Sequence, residues 1–209
     1  MKKIKIIHIN LSSGFAGAER HMIDLINHQS KDYKTYLIKS KKNTFINYSI
    51  VEKNTKIYKI SNFFKRNFLK RIIQKINPDI VHTHLGDASR IMSKSWGNFK
   101  LVATCHMNYK KKHYNNHDGI ILLNKTQEEI VKEQFSNKIL RINLWPPSIK
   151  SKKKTKIYLL NKLNIKKKSY IFGSIGRFHY QKGFDLILKV FNKLQLKNCY
   201  LVLIGNGHT

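Results

Sequence analysis

The segment from residue 173 to residue 187, GSIGRFHYQKGFDLI, constrains the fold of this chain more than any other. The residues before Gly176 are mostly apolar, β-branched or aromatic, which predicts a strand, and after Gly183 apolar residues recur with helical spacing. The connection carries Arg177 and Lys182. Since a helix N-terminus offers free N–H groups and a partial positive charge, the segment predicts a strand, a turn and a helix with a site for a diphosphate. Two cations at a turn also arise by chance in a chain this rich in lysine.

The rest of the chain alternates predicted strands with predicted helices. Strands are predicted at residues 5–10, 33–39, 57–60, 79–83, 101–105, 119–123, 138–142, 169–175 and 200–204. Helices are predicted at residues 18–29, 63–76, 126–135 and after residue 183. This alternation is typical of an α/β fold with a mostly parallel sheet.

The composition along the chain suggests two domains. We predict an N-terminal domain over residues 1–150, a lysine-rich linker or leading helix over 151–168, and the start of a second domain over 169–209. Two strands and one helix bury little apolar area and leave the edges of a sheet open. We therefore expect the second domain to be incomplete.

The net charge of the chain is +30, from 41 Lys and Arg against 11 Asp and Glu. Such a charge favours anionic partners, which include phosphorylated ligands, nucleic acid and an acidic membrane face. Compositional bias from an AT-rich genome explains the lysine content equally well. No helix-turn-helix, zinc-finger or RNP-type motif is found, so we expect no specific nucleic-acid partner, and a basic nucleic-acid-binding α/β protein stays an alternative.

The location is expected to be cytoplasmic. Cys105 and Cys199 are far apart and form no CxxC motif, which is typical of reduced thiols. The longest apolar runs are too short to cross a bilayer, and the N-terminus reads as a first strand because His8 and Asn10 interrupt its apolar stretch.

Polar residues follow several predicted strands. Gly14 and Gly17 lie in a loop of small residues after the first strand, which reads as a ligand-binding loop or a plain surface turn and lacks the GxGxxG pattern. His82 and His84 alternate along a strand and so point to one side of it. Together with His106, after the next strand, they suggest a ligand site at the carboxyl edge of the sheet; we disfavour zinc, because no ordered set of Cys or carboxylate ligands accompanies them.

Several segments together resemble glycosyltransferase family 4, a retaining family with the GT-B fold. The first is the GR…KG-F-D-L segment described above, and four others accompany it, of which the last lies at the interval that the family has. They are AGAER at residues 16–20, PDIVHTH at 78–84, the strand at 101–106 that ends in histidine, and LVLIGNG at 201–207.

The resemblance implies roles for particular residues. Arg177, Lys182 and Gly17 would contact the diphosphate of a nucleotide-sugar donor, and His106 would be the catalytic-site residue beside the donor sugar. His84 would lie in the cleft. The glycines that would line the cleft are Gly14, Gly176, Gly183, Gly205 and Gly207. No metal and no cofactor are expected, because cations replace the metal.

The resemblance also implies a fold and an activity. The fold would be α/β of GT-B type, with a Rossmann-like N-terminal domain and an incomplete second Rossmann-like domain. The activity would be transfer of a hexose, with retention, from a nucleotide sugar to a glycan or lipid-linked acceptor in cell-envelope polysaccharide synthesis, at the inner face of the plasma membrane. The paired glutamates of the family are not found before Thr209, and the N-G-V-D motif is replaced at residues 143–147. We therefore expect this chain alone to be inactive in transfer, and a non-catalytic remnant stays an alternative.

Overall fold

The computed structural model describes residues 3–61, 63–142, 155–166 and 168–207. The chain divides into two compact units, Met1–Trp145 and Pro146–Thr209. The pattern break predicted at residues 145–147 and the first residues of the predicted linker, 151–154, lie outside the described residues.

The first unit is built on one parallel sheet, which has seven strands within the described residues. The strands are β1 (Lys5–Asn10), β2 (Lys34–Ser40), β3 (Lys56–Ile60), β4 (Ile80–His84), β5 (Lys100–Cys105), β6 (Gly119–Leu122) and β7 (Lys138–Arg141). Their order across the sheet is β3-β2-β1-β4-β5-β6-β7, and every neighbouring pair is parallel. The order reverses between β1 and β4, which is where open α/β sheets bind ligands.

Helices cover the two faces of this sheet. They are α1 (Gly17–Gln29), α2 (Lys65–Ile76), α3 (Gly86–Ile91), α4 (Lys111–Tyr114) and α5 (Lys125–Lys132). Ile7 and Ile9 of β1 belong to the same buried cluster as Leu69 of α2. Because side chains alternate along a strand, His8 and its neighbour Asn10 lie on the opposite face, which α1 covers.

The predicted strands and long helices of this unit are present, and the differences are local. Helix α2 begins at Lys65 rather than at residue 63, because Phe64 has a left-handed backbone with φ of 56° and stands before the first turn. The short helices α3 and α4 were not predicted, since neither is long enough to show a helical repeat in the sequence.

The second unit contains α6 (Thr155–Lys162), β8 (Tyr170–Ile175), α7 (Phe184–Leu194) and β9 (Cys199–Ile204). Strands β8 and β9 pair in parallel, as expected for strands joined through a helix. A 3-10 turn at Tyr180–Lys182 precedes α7. Gly183 joins the turn to the helix with φ of 63°, a conformation that glycine adopts at little cost.

The parallel pairing continues past the ends of β8 and β9. The backbone N–H of Gly176 donates to Ile204 O at 2.9 Å, and that of Phe178 donates to Asn206 O at 3.0 Å. The loop that carries Arg177 is therefore held by backbone hydrogen bonds on both sides of this residue.

Two glycines make this close approach feasible. A Cβ atom on Gly205 would lie 1.8 Å from the carbonyl oxygen of Gly176, and one on Gly207 would lie 2.3 Å from that of Phe178. By contrast, a Cβ atom on Gly173 would meet no described atom within 4 Å. The strand-end glycines thus have a packing role within the second unit.

Candidate functional site

A row of imidazole rings occupies the carboxyl edge of the sheet where the strand order reverses. His8 Nδ1 lies 3.1 Å from His84 Nε2, and His84 Nδ1 lies 3.2 Å from His106 Nε2. His8 and His84 are fully buried, whereas His106, which follows β5, is partly exposed. The row therefore runs from the interior of the first unit to its surface.

The structure corrects one sequence expectation about this row. His84 was expected in the cleft, but its side chain is fully buried, and its Nδ1 lies 3.2 Å from Nε2 of the partly exposed His106. His82 stacks on His84 with ring centroids 4.3 Å apart, so the two point to one side of β4 as the alternation predicts. His82 Nε2 lies 2.7 Å from Thr104 Oγ1.

Burial keeps these rings neutral. It lowers the pKa of His8 to about 4 and that of His106 to about 4, both from 6.5. It also lowers the pKa of His82 and His84 well below the usual value, with further lowering from the neighbouring histidines. Each ring therefore carries one proton at neutral pH, and the row is held by hydrogen bonds rather than by charge.

The sequence pointed to His82, His84 and His106 as potential metal ligands, but the compact set in the structure contains His8 in place of His106. The ligand atoms of His8, His82 and His84 all lie within 4.8 Å of one another, which is close enough for one ion. Both ring nitrogens of His8 and His84 are engaged, by each other, by Gln29 and by His106, and His82 Nε2 is paired with Thr104. The hydrogen-bond geometry thus accounts for the cluster, and the expectation that the protein needs no metal stays a prediction.

The loop after β1 is organised by a buried carboxylate. Glu19 accepts hydrogen bonds from Ser12 Oγ at 2.5 Å and from the backbone N–H of Ala16 at 2.8 Å. Burial alone would raise the pKa of Glu19, but the hydrogen bonds that it accepts hold this pKa below its usual value. Gly14 and Gly17 are exposed, and a Cβ atom on either would meet no described atom within 4 Å, so the loop leaves open space beside them.

His106 also lines a cavity of about 630 Å³ between the loops that follow β5 and β6. Gln127 ties these loops together, because its amide donates to Cys105 O and Met107 O at 3.1 Å and accepts from the backbone N–H of Leu123 at 2.8 Å. Asn108 and Asn124 supply further polar groups to the lining. The cavity therefore offers hydrogen-bonding groups of the kind that recognise a polyhydroxyl ligand.

In the second unit, Arg177 follows β8 and Lys182 ends the 3-10 turn before α7, and both side chains are exposed. A Cβ atom on Gly176 would lie 3.9 Å from Lys182 Cδ, so the lysine stem passes beside the residue that precedes Arg177. The structure thus brings the two cations to one loop in front of α7, as the sequence predicts. A helix start with adjacent cations is suited to a diphosphate.

The candidate residues fall into two sets, one in each unit. Gly14, Gly17, His84 and His106 belong to the first, and Gly176, Arg177, Lys182, Gly183, Gly205 and Gly207 belong to the second. Sequence reasoning missed His8, Gln29 and the role of Glu19. The pairing of His8 with His82 depends on the register between β1 and β4, which the sequence does not reveal.

Two protein-family models match the sequence of this chain. Glycosyltransferase Family 4 matches residues 15–136, and Glycosyl transferases group 1 matches residues 156–209. No curated protein matches the sequence significantly.

Three solved structures share its fold. Anabaena HepE, solved in complex with UDP, is 12% identical with a TM-score of 0.76, over 98% of this chain and 62% of HepE. A glycosyltransferase from Rickettsia africae is 17% identical with a TM-score of 0.77, over 98% of this chain and 61% of the other. Sucrose-phosphate synthase from Thermosynechococcus elongatus is 14% identical with a TM-score of 0.66, over 96% and 62%.

The chain spans about three fifths of the length of these proteins. The likeness confirms the predicted α/β fold of GT-B type. Since the first family match also covers more than half of the sequence, the chain belongs to glycosyltransferase family 4.

Proposed function

We propose that this chain binds a nucleotide-diphosphate sugar and serves the transfer of its sugar to a glycan or lipid-linked acceptor in cell-envelope polysaccharide synthesis. The observation that carries the proposal is the loop in front of α7, where Arg177 and Lys182 lie beside a helix start in a member of a glycosyltransferase family. The UDP bound to HepE supports a nucleotide as part of the donor.

The chemistry follows from the charge of the leaving group. Negative charge develops on the diphosphate as its bond to the sugar breaks, and fixed cations together with helix N–H groups stabilise this charge. Arg177 and Lys182 would supply the cations, so that no metal or cofactor is needed. His106 would contact the donor sugar, and transfer of a hexose would retain its anomeric configuration.

The test of this function is a set of calorimetric titrations of the chain at constant ionic strength. We expect UDP or GDP, and the UDP-sugars or GDP-sugars, to bind at least tenfold more tightly than the matching nucleoside monophosphate. The reason is that the second phosphate adds charge-assisted hydrogen bonds of about 1.5–3 kcal/mol. The uncharged nucleoside sets the baseline. Equal affinity for mono- and diphosphates would contradict the proposal.

A membrane-bound acceptor suits one surface of the first unit. Phe63 and Phe64 are 79% and 76% exposed before α2, and Phe68 continues the exposed stripe. Arg71 lies beside Phe68, and Lys75 follows on the exposed side of the same basic helix. Aromatic side chains beside cations are suited to the headgroup region of an anionic membrane, so we place this surface at the inner face of the plasma membrane. Among the residues that the structure describes, no helix has the length and apolar character needed to cross a bilayer.

Binding to vesicles tests this surface. We expect the chain to float with phosphatidylglycerol vesicles and not with phosphatidylcholine vesicles, and to be released by salt. The double change Phe63→Ser and Phe64→Asn should reduce the bound fraction at least fivefold. Asparagine at position 64 tolerates the left-handed backbone there. The matched control is Phe45→Ser, at a side chain that is 59% exposed elsewhere; an equal loss in the control would refute this assignment.

A further inference from the structure

The histidine row has an anchor at its buried end. Gln29, the last residue of α1, places its side-chain oxygen Oε1 2.8 Å from His8 Nε2. An amide oxygen can only accept a hydrogen bond, so His8 Nε2 carries the hydrogen. Burial lowers the pKa of His8 to about 4, so the ring holds a single proton at neutral pH and its Nδ1 is an acceptor.

The position of the hydrogen on His8 determines the direction of the other hydrogen bonds in the row. His8 Nδ1 can only accept a hydrogen bond, so His84 Nε2 is the donor in the contact of 3.1 Å between them. His84 is neutral as well, so its Nδ1 accepts across 3.2 Å from His106 Nε2. Three hydrogen bonds thus point in one direction, from His106 inward to Gln29.

No other group interrupts the row within the described part of the chain. His82 stacks on His84, but its hydrogen bond goes to Thr104. His21 meets the ring of His106 edge-on, with centroids 5.3 Å apart and no hydrogen bond between them. The hydrogen bonds of the row therefore connect the tautomer of His106 to Gln29 through the two buried rings.

We propose that Gln29 is a positioning residue that fixes His106 as its Nε2–H tautomer and leaves Nδ1 as an open hydrogen-bond acceptor. No described residue is hydrogen-bonded to His106 Nδ1, and the ring lines the cavity that begins after β5. The ligand class that fits is a hydroxyl group, which donates to Nδ1. That this hydroxyl belongs to a sugar rests on the proposed function, whereas the tautomer does not.

The test reads the tautomer directly, by ¹⁵N NMR of histidine-labelled protein at pH 7.5 with His106→Gln to assign the signals. We expect His106 to be protonated on Nε2 in the wild-type chain. Gln29→Glu should preserve this state, because a carboxylate also only accepts. Gln29→Lys should reverse it, because an ammonium only donates. Gln29→Met should give a mixture of both tautomers.

The control is His28→Lys, which adds the same charge at the exposed neighbouring position and should leave His106 unchanged. If Gln29→Lys fails to fold, the pair Gln29→Glu and Gln29→Met still decides. The proposal would be overturned if His106 were protonated on Nδ1 in the wild-type chain. It would also be overturned if the tautomer of His106 stayed the same in all variants at position 29.

Titrations with a nucleotide sugar distinguish a failure of the tautomer proposal from a failure of the proposed function. We expect Gln29→Met to weaken binding of the nucleotide sugar about tenfold and binding of the bare nucleoside diphosphate less than twofold. If the tautomer of His106 changes with the residue at position 29 but the chain binds no nucleotide sugar, the role of Gln29 is supported and the proposed function is rejected.

Discussion

Acidification from pH 7 to pH 5 is expected to reduce the free energy of unfolding of the first unit by about 4 kcal/mol through two residues, His8 and His117. Both are fully or almost fully buried, with 0% and 1% exposure. Burial lowers the pKa of each from 6.5 to about 4. Between these values the unfolded chain binds a proton that the folded chain does not, so stability is retained above pH 6.5 and lost as the pH falls towards 4.

Urea unfolding at a series of pH values measures this effect. His117 is the residue to change, because its Nε2 lies 3.0 Å from the uncharged Thr83 Oγ1, and its Nδ1 is buried without a hydrogen-bond partner among the described residues. His117→Gln should remove about 2 kcal/mol of the pH dependence. His28→Gln, at an exposed position, is the control. An unchanged pH dependence in His117→Gln would contradict the prediction, because it would mean that the pKa of this ring is the same in the folded and the unfolded chain.

The second large effect concerns the proposed donor site. Arg177→Ala and Lys182→Ala should each weaken binding of a nucleoside diphosphate by about 10- to 100-fold, since each removes a charge-assisted contact of about 1.5–3 kcal/mol. Both residues lie in the loop before α7, where the helix start adds its own partial charge. Calorimetry at 0.15 M salt measures the loss.

The control for these variants is Lys189→Ala, which removes an exposed lysine from the middle of α7 and the same unit charge from the chain. We expect this change to weaken binding less than twofold, because the remaining charge is largely screened at that salt concentration. Equal losses at positions 182 and 189 would mean that the net charge of +30, and not a built site, attracts the ligand.

The sequence predicted the parts of this molecule that depend on local pattern. Apolar runs and helical spacing located the strands and the longer helices, and the segment around Arg177 and Lys182 identified the loop before α7. The histidine row could not be found in this way, because it depends on the register that places His8 opposite His82 and on the rotation of α1 that brings Gln29 to His8. Long-range contacts of this kind leave no periodic signal in one sequence. The burial of His84 was missed for the same reason.

The hydrogen bonds on either side of Arg177 have a consequence for affinity. A flexible binding loop loses conformational entropy when a ligand orders it, and this loss is subtracted from the energy of the contacts. Here the backbone of Gly176 and Phe178 is already fixed to the chain after β9, with Gly205 and Gly207 allowing the close approach. The backbone of the loop is therefore preorganised, so the proposed binding of a diphosphate by Arg177 would lose little backbone entropy. If the loop binds the donor as proposed, a change of donor preference would be easier through side chains around it than through its length or its glycines.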